Sequence, residues 1–266
     1  MRKRFWDLAL TIALMFSVPA VAFSQWLDLK LPGTPRKADG SPNLAAATPR
    51  TADGKPDLSG IWHAANGRFI GNLAGAAGIT APFKPEAAAI YKERQDTQGL
   101  HRPSGKCLPK SVPEGMTLPP YPFKIVQTPA LTLVLYEIFV DYRQIHTDGR
   151  PLPKDRNPAW FGYSVGKWEA DTFVVQTVGI NERTWLDDSG YPHSDELVIT
   201  ERMRRQDFGH MTIEFTFDDP KMYTKPWTVT VPFELMPDTE LLEYVCENER
   251  DLQHMPFTES GSEAKK

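Results

Sequence analysis

The chain has 266 residues, a net charge of −4, 41% hydrophobic and 24% charged residues. That is long enough to bury a core without metals or dense disulfides. A pI of about 5.9 argues against the basic footprint of a nucleic-acid binder. Twenty-four prolines, many between strand-like runs, predict a loop-rich and largely non-helical protein.

The N-terminus reads as a signal peptide over residues 1–22. Arg2, Lys3 and Arg4 form a positive start, Leu8 to Val18 an apolar core, and Ala20-Val21-Ala22 a cleavage site. The apolar run is short for a bilayer span; an uncleaved anchor is the alternative. No later run resembles a membrane span, so the mature protein is expected in the periplasm or secreted, with no stable membrane anchor. In an oxidising compartment Cys107 and Cys246 suit a long-range disulfide, with two free buried thiols or a catalytic thiol as alternatives.

Residues 23–58 read as an extended Pro/Ala-rich arm. It holds a near-repeat, PRKADGSPNL (35–44) and PRTADGKPDL (49–58), each with an Asp-Gly turn followed by proline. Two copies do not make a solenoid. The second leads into LSGIW, where Ile61 and Trp62 are expected to enter the core. Residues 63–82 are Gly/Ala-rich and weakly patterned. KPEAAAIYKERQ (84–95) predicts one short helix, with Pro85 at its first position and Glu86 in its first turn. Residues 97–123 read as a proline-rich loop.

Strands are expected over 124–128, 131–137, 139–146, 160–169, 172–179, 196–205, 210–218, 227–235 and 240–246. They are short β-branched and aromatic runs with regular turns. The fold class is mainly β: an antiparallel barrel or a sandwich with the Pro-rich arm and one short helix. The organisation is a single β-rich domain over 59–252 and a polar tail over 253–266. Within GYSVG (162–166) the Gly-x-Ser-x-Gly pattern could mark a hydrolase nucleophile, but that motif needs a helix after the serine. Here Trp168 and Thr172 to Val175 follow, so Ser164 reads as a strand residue in a hairpin turning at Ala170-Asp171.

The stretches TADGKPDLSGIW (51–62), YRQIHTDGRPLP (142–153), WFGYSVGKWEADTFVVQTVGIN (160–181), WLDDSGYPHSDEL (185–197), ERMRRQD (201–207) and EYVCENER (243–250) carry a resemblance across nearly the whole mature chain. They resemble a family of secreted bacterial proteins, which implies export but no particular reaction. Its members carry glycine where Ala170 stands here. The hairpin pattern also resembles lipocalin-like β-barrels, which implies a fold and not a function.

The densest polar cluster is WLDDSGYPHSDEL. In it His193 is the candidate proton shuttle, Asp188 or Glu196 its orienting carboxylate, and Trp185 and Tyr191 an apolar wall. The alternative is a solvated turn. His146 is a second catalytic candidate and Arg143 a clamp for an anionic substrate group. Three residues apart on a strand, those two face opposite sides. Arg202 is a further binding candidate. Glu196, Thr200 and Arg202 share one strand face, Glu201 and Arg205 the other, where ion pairing would be structural. His146-x-Asp148 and His193-x-x-Glu196 lack a metal-site context, so no metal is assigned. With no P-loop, dinucleotide fingerprint or haem-attachment motif, no cofactor is assigned either. The leading reading is an exported, cofactor-independent enzyme doing lyase, hydrolase or isomerase chemistry on a small organic molecule in a barrel-mouth pocket. The alternatives are a periplasmic lipocalin-like binding protein and an envelope interaction module using the arm.

Overall fold

A computed structural model describes residues 29–246 except Pro119. The expected signal peptide (1–22) and polar tail (253–266) lie outside the described residues. Nine strands among these residues close in chain order into a barrel, not a sandwich. They are β1 (Gly60–Ala64), β2 (Phe123–Gln127), β3 (Leu131–Tyr136), β4 (Tyr142–His146) and β5 (Tyr163–Glu169). Then come β6 (Thr172–Val178), β7 (Val198–Arg205), β8 (His210–Asp218) and β9 (Trp227–Leu235). β1 meets β9 through Trp62↔Leu235 and Ala64↔Phe233, so no sheet edge is left open.

The strands form because they alternate. On β8, Met211, Ile213, Phe215 and Phe217 are buried while His210, Thr212, Glu214 and Thr216 are half exposed. β9 contributes Trp227, Val229, Val231, Phe233 and Leu235 to the same core. Trp62 enters the core as expected, its indole donating to the Leu58 carbonyl at 2.9 Å.

Two features correct the expected all-antiparallel, one-helix picture. β4 and β5 pair in parallel through Ile145↔Ser164 and His146↔Val165. Residues 147–162 make the crossover that a parallel pair needs. Among the described residues there are three α-helices: α1 (Arg68–Gly71), α2 (Leu73–Ala76) and α3 (Pro85–Asp96). α3 is the expected helix, with Pro85 at its start. α1 and α2 are single turns in the Gly/Ala-rich stretch, pinned by the buried Phe69 and Leu73. β4 starts at Tyr142 instead of 139 because Phe139 and Val140 take positive φ values of 64° and 57° and turn the chain. Residues 240–246 form no strand; Tyr244 makes an isolated bridge to Ile138.

Strand direction gives the barrel two distinct ends. The upper end receives the long 65–122 connection, the 137–141 turn and the 179–197 and 219–226 loops. The lower end carries the tight turns 128–130, 170–171 and 206–209, and the arm lies across it. Leu44 and Ala46 carbonyls accept from the Gly209 and Phe208 amides at 2.7 Å each. The two repeat copies fold alike: Arg36 bridges Pro42, Arg50 bridges Pro56, and Gly40 and Gly54 turn at φ 84° and 80°. Each repeat arginine is then tied to a carboxylate, Arg36 to Asp238 and Arg50 to Asp171.

Cys107 and Cys246 are joined, with Cα atoms 5.6 Å apart across 139 residues of sequence. The bridge fastens the end of the described chain to the 97–122 loop at the upper end. Among the described residues no helix is long and apolar enough to cross a membrane. The disulfide and that observation are both compatible with a periplasmic or extracellular protein.

Candidate functional site

The upper end is built around the 185–197 loop. Asp187 is fully buried and organises it: one carboxylate oxygen accepts from the Ser189 hydroxyl at 2.7 Å and the Gly190 amide at 3.0 Å. The other accepts from the Leu73 amide at the start of α2, at 2.8 Å. α3 lies against the loop, with Arg94 donating to the Gly190 carbonyl at 3.0 Å and stacking over Trp185 at 4.5 Å. Tyr91 and Tyr191 pack with ring centroids 4.8 Å apart. Trp185 and Tyr191, expected as an apolar wall, are thus buried packing residues, 4% exposed each.

His193 is equally buried. It is 4% exposed, its Nε2 lies 2.8 Å from the Thr184 hydroxyl, and its Nδ1 lies 3.2 Å from the Ser194 carbonyl. Burial lowers its pKa, against the raising effect of the Ser194 carbonyl and Asp219, which favours the neutral ring. The expected trio is not assembled. Asp188 points to the opposite side of the loop, and Glu196 is half exposed and paired with Lys221 at 3.3 Å.

The other candidates also separate. Arg143 is fully buried inside the barrel and clamps the chain's own Glu201, with guanidinium–carboxylate distances of 3.0 and 2.5 Å. Its Nε donates to the Ser164 hydroxyl at 3.0 Å and one terminal nitrogen to the Thr177 hydroxyl at 2.6 Å. No free anion clamp remains, and Ser164 is an inward strand residue supporting that pair. His146 sits on the outer face, its ring 5.1 Å from that of Tyr163. Arg202 is on the surface, paired with Glu169 at 2.9 Å.

What the structure does assemble is a charged cluster in the wall of an upper cleft of about 810 Å³. The cleft is lined by the charged Arg102, Lys106, Lys110 and Asp188 and by the aromatic Tyr121, Phe139 and Tyr244. The Lys110 ammonium, 6% exposed, lies 2.5 Å from Glu114, 3.1 Å from Asp188 and 3.2 Å from the Ser104 hydroxyl. Arg102 reaches the other Asp188 oxygen at 3.2 Å, and its buried Nε has no hydrogen-bond partner among the described residues.

The two carboxyls are driven apart. Burial raises Glu114 to about 8, the neighbouring Asp188 adding to the rise and Lys110 opposing it. Burial would raise Asp188 as well, but the hydrogen bond from Glu114 and the charges of Lys110 and Arg102 outweigh it and hold Asp188 below its ordinary value. The shifts run in opposite directions, so Glu114 is the better proton holder of the two and Asp188 the more readily ionised, with the Lys110 ammonium between them.

Sequence reasoning found Asp188 but missed Lys110, Glu114 and Arg102. Their signal was weak: Lys110 and Glu114 are four apart, but Pro113 between them speaks against a helix. Among the described residues no group of three or more His, Cys, Asp or Glu side chains is placed to hold a metal ion. No protein-family model matches the chain, and no curated protein matches it at a significant level.

Proposed function

We propose that the chain is an exported, cofactor-independent β-barrel enzyme that performs acid/base chemistry on a small organic anion in the upper cleft. The observation that carries this reading is the buried cluster in which Lys110 bridges Glu114 and Asp188, with Arg102 on the other Asp188 oxygen, at the wall of a cleft large enough for a small organic molecule; burial pushes Glu114 up and the cations help hold Asp188 down. Asp188, which lines the cleft, takes a proton from the substrate and gives it back to the product, so the turnover leaves its carboxylate as it began. Glu114 stands behind it as the proton-bearing partner, and Lys110 with Arg102 positions Asp188. The cationic lining, with Lys106 at the rim, favours an anionic group on the ligand. Tyr121, Phe139 and Tyr244 offer an apolar surface to the remainder of the molecule. The chemistry suits lyase, isomerase or hydrolase reactions. His193 holds the loop and touches no reacting atom in this reading.

The test is incubation of purified protein with a mixed extract of small soil and plant metabolites, following every mass. Wild type and His193→Gln deplete the same mass and form the same product. Asp188→Asn does so about 100-fold more slowly or worse, the usual weight of a general base. Equal turnover by Asp188→Asn would sink the assignment. A mass that co-elutes unchanged with every variant would point to a lipocalin-like binding protein instead.

A further inference from the structure

A second cavity, of about 560 Å³, opens at the lower end of the barrel, opposite the cleft. Its position follows from strand parity. Gln127, Thr132, Gly166 and Trp168 belong to the inward-facing sets of β2, β3 and β5, at their lower ends. Farther in, the axis is filled by Phe173, Ile145 and the Arg143–Glu201 pair, so the cavity is a cup and not a channel. Gly166 has no side chain for a reason: a Cβ there would lie 2.5 Å from the Phe173 ring. The roof is the turn of the second arm repeat, Thr51 to Asp53. It is held by Arg50, whose guanidinium reaches Asp171 at 2.8 Å and the Gly54 carbonyl at 2.7 Å.

The chemistry of the lining is specific. Trp168 packs on Phe173 with ring centroids 5.1 Å apart and also lines the cup, beside Ala52 and Pro129. The rim hydroxyls already donate to the protein. Thr128 donates to the Leu131 carbonyl at 2.6 Å, Thr147 to the Pro129 carbonyl at 3.1 Å, and Thr51 to Asp53. The Gln127 amide is locked between the Leu58 amide and the Pro56 carbonyl. What these oxygens still offer a ligand is acceptor capacity. Asp53, its pKa lowered by the Thr51 hydroxyl, adds another acceptor, while Lys167 at the rim is already engaged by Glu169 at 3.0 Å. An acceptor-rich rim and an indole wall, with no unpaired cation for an anionic ligand among the lining residues named, call for a molecule with one apolar face and several hydroxyl donors.

We propose that this cup is a saccharide-binding site, with the sugar ring against Trp168 and its hydroxyls donating to Asp53 and the threonine rim. It is separate from the acid/base cleft and lies at the other end of the barrel. The second arm repeat is its roof, which gives the arm a role in ligand binding beyond covering the barrel.

The test is calorimetry and tryptophan fluorescence on the mature protein with glucose, galactose, N-acetylglucosamine, cellobiose and maltose, with choline as contrast. At least one sugar binds, and Trp168→Ala and Asp53→Ala each weaken it about tenfold, a loss equivalent to about 1.4 kcal/mol. Asp53→Ala alters an exposed turn outside the barrel and keeps the test decisive if Trp168→Ala does not fold. The proposal is overturned if none of the five sugars binds, if both folded variants bind as wild type does, or if choline binds more tightly than every sugar.

Discussion

At the scale of single residues, the informative groups are the charges the fold has taken out of water. Glu114 is 3% exposed and keeps its proton to about pH 8. Its folded pKa lies above its unfolded value near 4.5, so the folded state holds a proton that the unfolded chain releases. That contribution is fully present below about pH 4.5 and is lost as pH rises through 8. Stability measured by urea denaturation is therefore expected to fall across that window. Glu114→Gln, which is neutral at every pH, flattens that part of the profile; an unchanged slope in the variant would show that Glu114 is ionised in the fold. Asp188 was legible in the sequence because it sits among polar neighbours in a Gly- and Pro-shaped loop. His193 drew attention for the same reason, yet successive side chains of that loop point different ways. Asp187 turns to α2, Asp188 to the cleft, and His193 to Thr184. Nearness in sequence says nothing of direction when a loop is folded back on itself.

At the scale of elements, the strands were legible because period-two burial writes itself into β-branched and aromatic alternation, as on β8 and β9. The pairing of β4 with β5 was not, since the same alternation serves parallel and antiparallel neighbours alike. β1 was hidden because the sequence marked only its core entry at Ile61 and Trp62. The β5–β6 hairpin is where a residue-level conflict shows. Glu169 pairs with Thr172, leaving Ala170 and Asp171 as a two-residue turn, and Ala170 adopts φ 53°. A Cβ is strained there, at about 1–2 kcal/mol, partly offset by the greater freedom glycine has in the unfolded chain. Ala170→Gly is expected to stabilise the protein by roughly 0.5–1 kcal/mol, read as a melting temperature a few degrees higher. A lower melting temperature would mean that the turn gains something from the alanine methyl.

At the scale of the whole molecule, the barrel is held at its axis by a polar core. Arg143 on β4 and Glu201 on β7 meet across the interior, with Ser164 and Thr177 completing the guanidinium's bonds. Their inward direction could be read from parity; that they meet could not, because the pairing joins strands far apart in sequence. Removing one partner leaves a buried charge alone, so Glu201→Gln is expected to cost about 3–5 kcal/mol. The double change Arg143→Met with Glu201→Leu recovers most of that loss, and a urea double-mutant cycle measures the difference. Additive losses would mean the two side chains do not act as a pair. The disulfide has a consequence of another kind. Cys246 closes on Cys107 across 139 residues, and Tyr244, Val245 and Cys246 form a wall of the cleft that Lys110 and Asp188 also line. That wall comes from nearly the last described stretch of chain, whereas the charged residues of the cleft lie as far back as Arg102. All nine described strands end by Leu235, so this wall is added to the barrel from outside it and is fastened by the bridge. On the proposed reading, reducing the Cys107–Cys246 bridge frees one wall of the cleft, and turnover is expected to fall under a reductant.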